Sequence, residues 1–415
     1  MNFLRKKSTL LSIIALLLFG TILIFYKSGQ LPQFISWDEY HLAKLALSLD
    51  HTSYTPFSSF ADGHATLYFY ILLLSFKFLG VSHFALRLPI AIFGILNILI
   101  FYSILRLVFK KNLLLPIILS IALLTSHWYL NFVRFSFEIP FLLFLELVSC
   151  YFILNFHKEK KLYQLILCGI FAGLAFNSYQ PGRIFFLLPL LTLFIKREKV
   201  LTFFLFLIPF VITIYPLTSY LALHQESDIR INQQLFLKDQ RLSIQAKASY
   251  LVDNVSKIAL MFNLKGDLNG RHNYPGKPAL NPYLGILFII GLIVALSQIR
   301  SFYNQFFLIY IALALLPAIF TLPIENPNML RTFTALPGII YLIGVGFLYL
   351  KQKLFSGRKF VVIFLTVILV ISCLYELRTY FYYQALISDS AFDVRCPLIE
   401  MVKYEPRQVP FKCRF

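Results

Sequence analysis

A succession of apolar runs, separated by short polar stretches rich in lysine and arginine, constrains this chain more than any other feature. A helix needs roughly 20 apolar residues to cross the hydrocarbon core of a bilayer. On that rule about eleven segments qualify as spans: 9–26, 84–109, 112–127, 138–156, 162–178, 183–195, 200–217, 282–298, 304–320, 333–350 and 360–376. In lipid each spanning segment must satisfy its own backbone hydrogen bonds, so such runs fold as helices. The chain is 59% hydrophobic and only 14% charged, where soluble domains average about 25% charged residues. The expected class is an all-α integral membrane protein.

The basic clusters orient the spans. Lys and Arg accumulate on the cytoplasmic side, and every predicted inner loop carries them, from Arg5-Lys6-Lys7 and Lys110-Lys111 through Lys158, Lys160 and Lys161 to Lys351 and Lys353. The same rule explains the formal net charge of +19 without nucleic acid, for which no aromatic-basic module is present. The alternation requires that segment 67–80, which is short and contains Lys77, not span; it reads as a re-entrant or interfacial helix. The first run is too long for the core of a cleaved signal and reads as a retained helix. A transmembrane unit 1–376 then exposes the outer loops 27–83, 128–137 with 177–183, 218–280 and 321–332, with a short outer tail, 377–415. Inner loops are short, so irregular sequence, and with it the site, concentrates outside. Of the cysteines, Cys150, Cys168 and Cys373 read as packing residues, while Cys396 and Cys413 could pair if the tail faces an oxidising compartment.

In the first outer loop stands Ser36-Trp37-Asp38-Glu39-Tyr40, two adjacent carboxylates in a chain with 19 acids among 415 residues. Leu42, Leu45, Ala46 and Leu49 recur at helical spacing, so Asp38 and Glu39 open a short surface helix whose dipole favours them. Taken locally, the pair is better explained by capping than by chemistry. Arg134 and Glu138, spaced i, i+4, read either as an ion pair on one helix face or as functional groups near bilayer depth. Arg87, Arg134, Arg183 and Arg331 all fall at the outer mouths of spans, on the side expected to be poor in positive charge. Snorkelling accounts for any one of them, and four together suit a lipid phosphate. A carboxylate beside a phosphate leaving group is the arrangement for glycosyl transfer from a polyprenyl-phosphate sugar, with the carboxylate as base. A transporter or flippase of lipid-linked sugars is the alternative, but it needs polar groups along a membrane path, and Glu146 is the one mid-span acid.

The motif order resembles glycosyltransferase family 39, which includes protein O-mannosyltransferases and the bacterial aminoarabinose transferase. The matching stretches begin with Ser36-Trp37-Asp38-Glu39, Gly63-His64, Leu79-Gly80 and Arg87-Leu88-Pro89. They continue with Ser126-His127-Trp128, Arg134 with Glu138, Ser178-Tyr179…Arg183, Lys265-Gly266-Asp267…Arg271-His272-Asn273, and Glu325-Asn326-Pro327…Arg331. The resemblance implies a C-type membrane fold and inverting transfer from a polyprenyl-phosphate sugar on the outer face, with 67–80 held as a juxtamembrane helix. It implies Asp38 as base with Glu39 beside it, and His64 and the arginines near the donor phosphate. Glu138, Tyr179, Asp267, Arg271 and His272 become substrate-binding or gating groups. The implied partners are the lipid-linked donor and membrane lipids, with the acceptor open among lipid, glycan and protein. No particular cofactor is indicated; a divalent metal on Asp38 and Glu39 is compatible, although no third ligand stands out. Two departures matter: Ala65-Thr66 replaces a usual pair of prolines, and Glu138 stands where mannosyltransferases carry Asp.

Overall fold

The computed structural model describes residues 2–51, 53–224, 234–353, 359–404, 408 and 413. The side chains of Arg5-Lys6-Lys7, residues 225–233 of the long outer loop and most of the tail after Tyr404 lie outside that description.

The chain is mostly helical: α1 Asn2–Phe25, α2 Trp37–Ser48, α3 Leu67–Leu79, α4 His83–Val108, α5 Leu115–Thr125, α6 His127–Phe132, α7 Ile139–Glu159, α8 Tyr163–Phe176, α9 Leu187–Ile195, α10 Val200–Leu223, α11 Ile244–Asn263, α12 Pro282–Ser297, α13 Phe302–Ile319, α14 Leu336–Lys353, α15 Lys359–Arg378, α16 Ala385–Ala391 and α17 Leu398–Met401. Among the described residues, six helical segments are long and apolar enough to cross a membrane: Ser8–Phe25, His83–Val108, Ile139–Glu159, Val200–Leu223, Phe302–Ile319 and Phe333–Lys353. Five shorter apolar ones, including Leu67–Leu79, lie among them. The protein is an integral membrane protein.

Helix pairs close where small residues allow backbones to meet. On α12 a Cβ at Gly291 would stand 1.8 Å from the Leu342 carbonyl oxygen of α14, and one at Gly346 would stand 2.2 Å from the Leu287 oxygen. Only glycine fits either position at this separation.

The segment between α1 and α4 is more structured than its sequence suggested. α2 packs all four periodic positions, Leu42, Leu45, Ala46 and Leu49, into the core, and α3 lies against α2 and α4. Between them a two-stranded antiparallel sheet, β1 Phe57–Ser58 with β2 His64–Ala65, pairs Phe57 with Ala65 and Ser58 with His64. The long stretch 218–280, read as polar, contains the helix α11. Its residues Asn254, Ile258, Met261 and Phe262 are buried against the bundle. The tail folds back over the first loop. Ile35 and Val394 form an antiparallel bridge, Cys396 and Cys413 are joined in a disulfide, and the Tyr404 carbonyl accepts from the Tyr40 hydroxyl at 2.7 Å and Lys44 Nζ at 2.9 Å.

Replacing Gly291 by Val should force α12 and α14 apart. Overpacking of a fitted core costs about 1–3 kcal/mol, so the detergent-solubilised variant should melt several degrees below wild type; an unchanged melting temperature would contradict the close contact.

Candidate functional site

Ser36 opens α2 with a capping box: its hydroxyl accepts from the Glu39 amide at 3.2 Å, and Glu39 Oε2 accepts from the Ser36 amide at 3.1 Å. Glu39 is fully buried, and its carboxylate also takes Arg87 Nε at 2.8 Å, Arg87 Nη2 at 2.9 Å and the Ser136 amide at 2.8 Å. The remaining Arg87 donors reach the carbonyls of Pro32 and Phe34, both at 2.6 Å. Glu39 and Arg87 are thus a bidentate buried pair that fixes the loop before α2. Arg87 points into protein rather than to a phosphate, and the Glu39 oxygens, committed to protein donors, are not placed as metal ligands. Among the described residues no three His, Cys, Asp or Glu side chains converge as a metal site.

Asp38, one residue earlier, faces the other way. Its side chain is 45% exposed and pairs with the Arg271 guanidinium. Arg271 rides on a tight loop in which the Gly266 amide donates to the Gly276 carbonyl at 3.1 Å and the Gly276 amide donates to the Asp267 carbonyl at 2.9 Å. Asp267 Oδ2 anchors that loop by accepting from the Met329 amide at 2.8 Å and pairing with His272 Nδ1 at 2.9 Å. Asp267 and His272 therefore hold Arg271 in place. His41, one turn along α2, has its pKa lowered chiefly by burial, against the opposing influence of Asp38 and Asp62.

Arg134 does not pair with Glu138. The intervening residues are not helical, so the i, i+4 geometry is lost. All five guanidinium donors are spent on protein: the Tyr380 hydroxyl at 3.0 Å and the carbonyls of Leu23, Ile24, Tyr26 and Leu31 at 2.5–3.0 Å. It caps the otherwise open C-terminal end of α1 and leaves no donor for a phosphate. Glu138 instead meets His64, with Oε1 at 2.7 Å from Nδ1 and both residues buried.

Arg183 and Arg331 are brought together. They line a cavity of about 290 Å³ with Tyr179, Gln180, Gln234, Leu235, Pro317 and Thr321. Tyr179, Gln180 and Arg183 also wall a small neighbouring cavity of about 10 Å³ that contains His64 and Glu138. Asp38 does not line the larger cavity, but the two groups share supports. Asp267, which holds the Arg271 loop, bonds Met329 two residues before Arg331; Glu39 bonds Ser136 two residues before Glu138. Residues not singled out as site groups complete this face: Tyr380 beneath Arg134, and Glu376, which accepts from the His127 amide at 3.0 Å and Asn281 Nδ2 at 2.8 Å. The tyrosines at 380, 382 and 383 were the available signal for the tail's part in it.

Residues 63–220 match the family model described as dolichyl-phosphate-mannose-protein mannosyltransferase. The whole bundle superposes on ArnT from Cupriavidus metallidurans bound to undecaprenyl phosphate with a TM-score of 0.57 at 12% identity, over 94% of this chain and 77% of that one. This is the C-type membrane glycosyltransferase fold. The Archaeoglobus fulgidus oligosaccharyltransferase in the apo form matches with a TM-score of 0.55 at 13% identity, over 92% of this chain. This chain spans 56% of that protein's length. The same enzyme in complex with an inhibitory peptide and a dolichol-phosphate matches with a TM-score of 0.52 at 14% identity, over 93% of this chain and 56% of that one. No curated protein matches the sequence significantly. The expected resemblance to glycosyltransferase family 39 is shown, and the family model locates it in residues 63–220.

In this C-type fold Glu39 is a scaffold residue. Glu39→Gln leaves Arg87 buried without its counter-charge, a change worth about 3–5 kcal/mol. Its folded yield and melting temperature should fall sharply, whereas Asp38→Asn should melt close to wild type. Equal stability of the two variants would argue against the division of labour between these neighbours.

Proposed function

We propose that the protein is an inverting glycosyltransferase that moves a hexose or pentose from a polyprenyl-phosphate donor to an acceptor hydroxyl on the extracytoplasmic face. The observation that carries this reading is that Arg183 and Arg331 line one cavity, while Asp38 offers a carboxylate that is 45% exposed and is linked to that cavity through the Asp267–Met329 contact. The C-type fold and the undecaprenyl phosphate and dolichol-phosphate bound by two structural neighbours support it.

In the proposed reaction the donor phosphate lies against Arg183 and Arg331, with His64 and Glu138 lining the adjoining space. Asp38 removes the proton of the acceptor hydroxyl, and the resulting nucleophile attacks the anomeric carbon from the side opposite the phosphate. The carbon–oxygen bond to phosphate breaks, polyprenyl phosphate departs with its charge held by the guanidinium groups, and the new glycosidic bond is inverted. Arg271 orients the Asp38 carboxylate from a loop fixed by Asp267 and His272, and Tyr179 walls the cavity. The eleven-span topology belongs to this proposal. The N-terminus faces the cytoplasm of a bacterial inner or plasma membrane, α3 lies along the surface, and the tail 377–415 is outside, where its disulfide is at home.

Asp38→Asn keeps shape and removes the base. Turnover with a labelled polyprenyl-phosphate sugar should fall at least about a hundredfold, the range of general-base catalysis, at normal expression; near-wild-type turnover would sink the assignment. Charge-assisted hydrogen bonds are worth about 1.5–3 kcal/mol each. Arg183→Gln and Arg331→Gln should therefore each weaken donor KM or turnover by ten- to a hundredfold, roughly. Lipid carried intact across reconstituted vesicles, with no sugar released, would favour the flippase reading instead.

A further inference from the structure

A second crevice, of about 310 Å³, opens away from the arginine cavity, where the loop before α12 meets α12 and α15. Its floor is apolar and faces outward: Gly285, Ile286 and Ile289 lie along α12, with Ile286 57% and Ile289 45% exposed. Its polar end holds Lys277 and Asn263. Lys277 Nζ lies 3.1 Å from the Tyr375 hydroxyl, 4.4 Å from the centre of that ring and 5.6 Å from the Tyr383 ring.

Arg378, three residues after Tyr375 on α15, places its guanidinium 5.2 Å from the same Tyr383 ring. The π-helical turn Thr379–Gln384 that follows α15 carries Tyr383 to this position. Two cations thus share one aromatic ring at the edge of the bundle. Arg87, Arg271 and Arg331 each meet a carboxylate, but among the described residues neither Lys277 nor Arg378 does. Neither cation therefore has a carboxylate counter-charge among those residues, and the phosphate of an anionic headgroup supplies one. The tyrosines are of the kind enriched at the headgroup level of a bilayer, and the exposed isoleucines below them suit hydrocarbon.

We propose that this crevice binds an anionic membrane phospholipid, its phosphate against Lys277 and Arg378 and an acyl chain along Ile286 and Ile289. The site is separate from the donor cavity and does not depend on the proposed reaction. It has one link to it: the loop from Asp267 to Lys277 also carries Arg271 to Asp38, so a lipid held at one end steadies the other.

The test is native mass spectrometry of the full-length protein titrated with phosphatidylglycerol and, separately, phosphatidylcholine. Each cation near a lipid headgroup is worth about 1 kcal/mol, or roughly fivefold in affinity. Phosphatidylglycerol should therefore be preferred by wild type, and Lys277→Gln with Arg378→Gln should lose at least fivefold of that preference. Arg183→Gln with Arg331→Gln should retain it. Ile289→Trp, which fills the floor without touching charge, should also reduce binding and guards against a charge variant that misfolds. An unchanged preference in the Lys277/Arg378 variant, or equal binding of the two lipids by wild type, overturns the proposal. So does displacement of the lipid by millimolar inorganic phosphate, which would identify a soluble anion as the occupant.

Discussion

The face that carries the candidate site depends on one buried ion pair. Glu39 and Arg87 bring together the loop before α2, the start of α4 and the turn after α6, because the carboxylate also takes the Ser136 amide and the guanidinium also takes the Pro32 and Phe34 carbonyls. With both carboxylate oxygens and all three guanidinium nitrogens hydrogen-bonded, the pair can sit without water at low cost relative to leaving either partner alone. Its position decides where Asp38 points. Asp38 lies about 100° around α2 from Glu39, so with Glu39 held in the core its carboxylate stands at the edge of the buried face, 45% exposed.

The same economy of roles divides the arginines. Four stand at the mouths of helices, and nothing within a few residues of any of them separates a structural guanidinium from one that faces a cavity. Arg87 is spoken for by partners some fifty residues upstream, and Arg134 by carbonyls of α1 and a hydroxyl of the tail. Arg183 and Arg331 come together only because α13, the 180–184 turn and the strand-like residues at 234–235 meet there. Such distinctions are set by long-range contacts, which local pattern does not encode.

What was legible came from strong periodic signals. Each apolar run corresponds to a helix, and Leu42, Leu45, Ala46 and Leu49 do face the core of α2. The capping reading of the acidic pair holds for Glu39, and Asp38 stands apart from it. The i, i+4 reading of Arg134 and Glu138 failed because the segment between them leaves helical geometry; a helix had been assumed across residues that instead deliver Ser136 to Glu39. The hairpin of β1 and β2 was missed because two-residue strands have no periodicity to read. Helix α11 was missed because its apolar residues are diluted by Ser, Asn, Lys and Asp.

Arg134 joins parts of the chain made far apart in time. Its guanidinium closes the end of the first helix, yet the Nε bond is completed by Tyr380, 246 residues later. During synthesis the first helix is in place long before its clamp is complete, because the Tyr380 bond waits for α15 and the turn beyond it. Val394, which pairs with Ile35, is later still. The face that carries the site can therefore take its final form only after nearly the whole chain has been translated. A nascent chain stopped short of α15 would hold most of the cavity-lining arginines and helices without the surface that organises them, which couples assembly of the site to completion of the polypeptide.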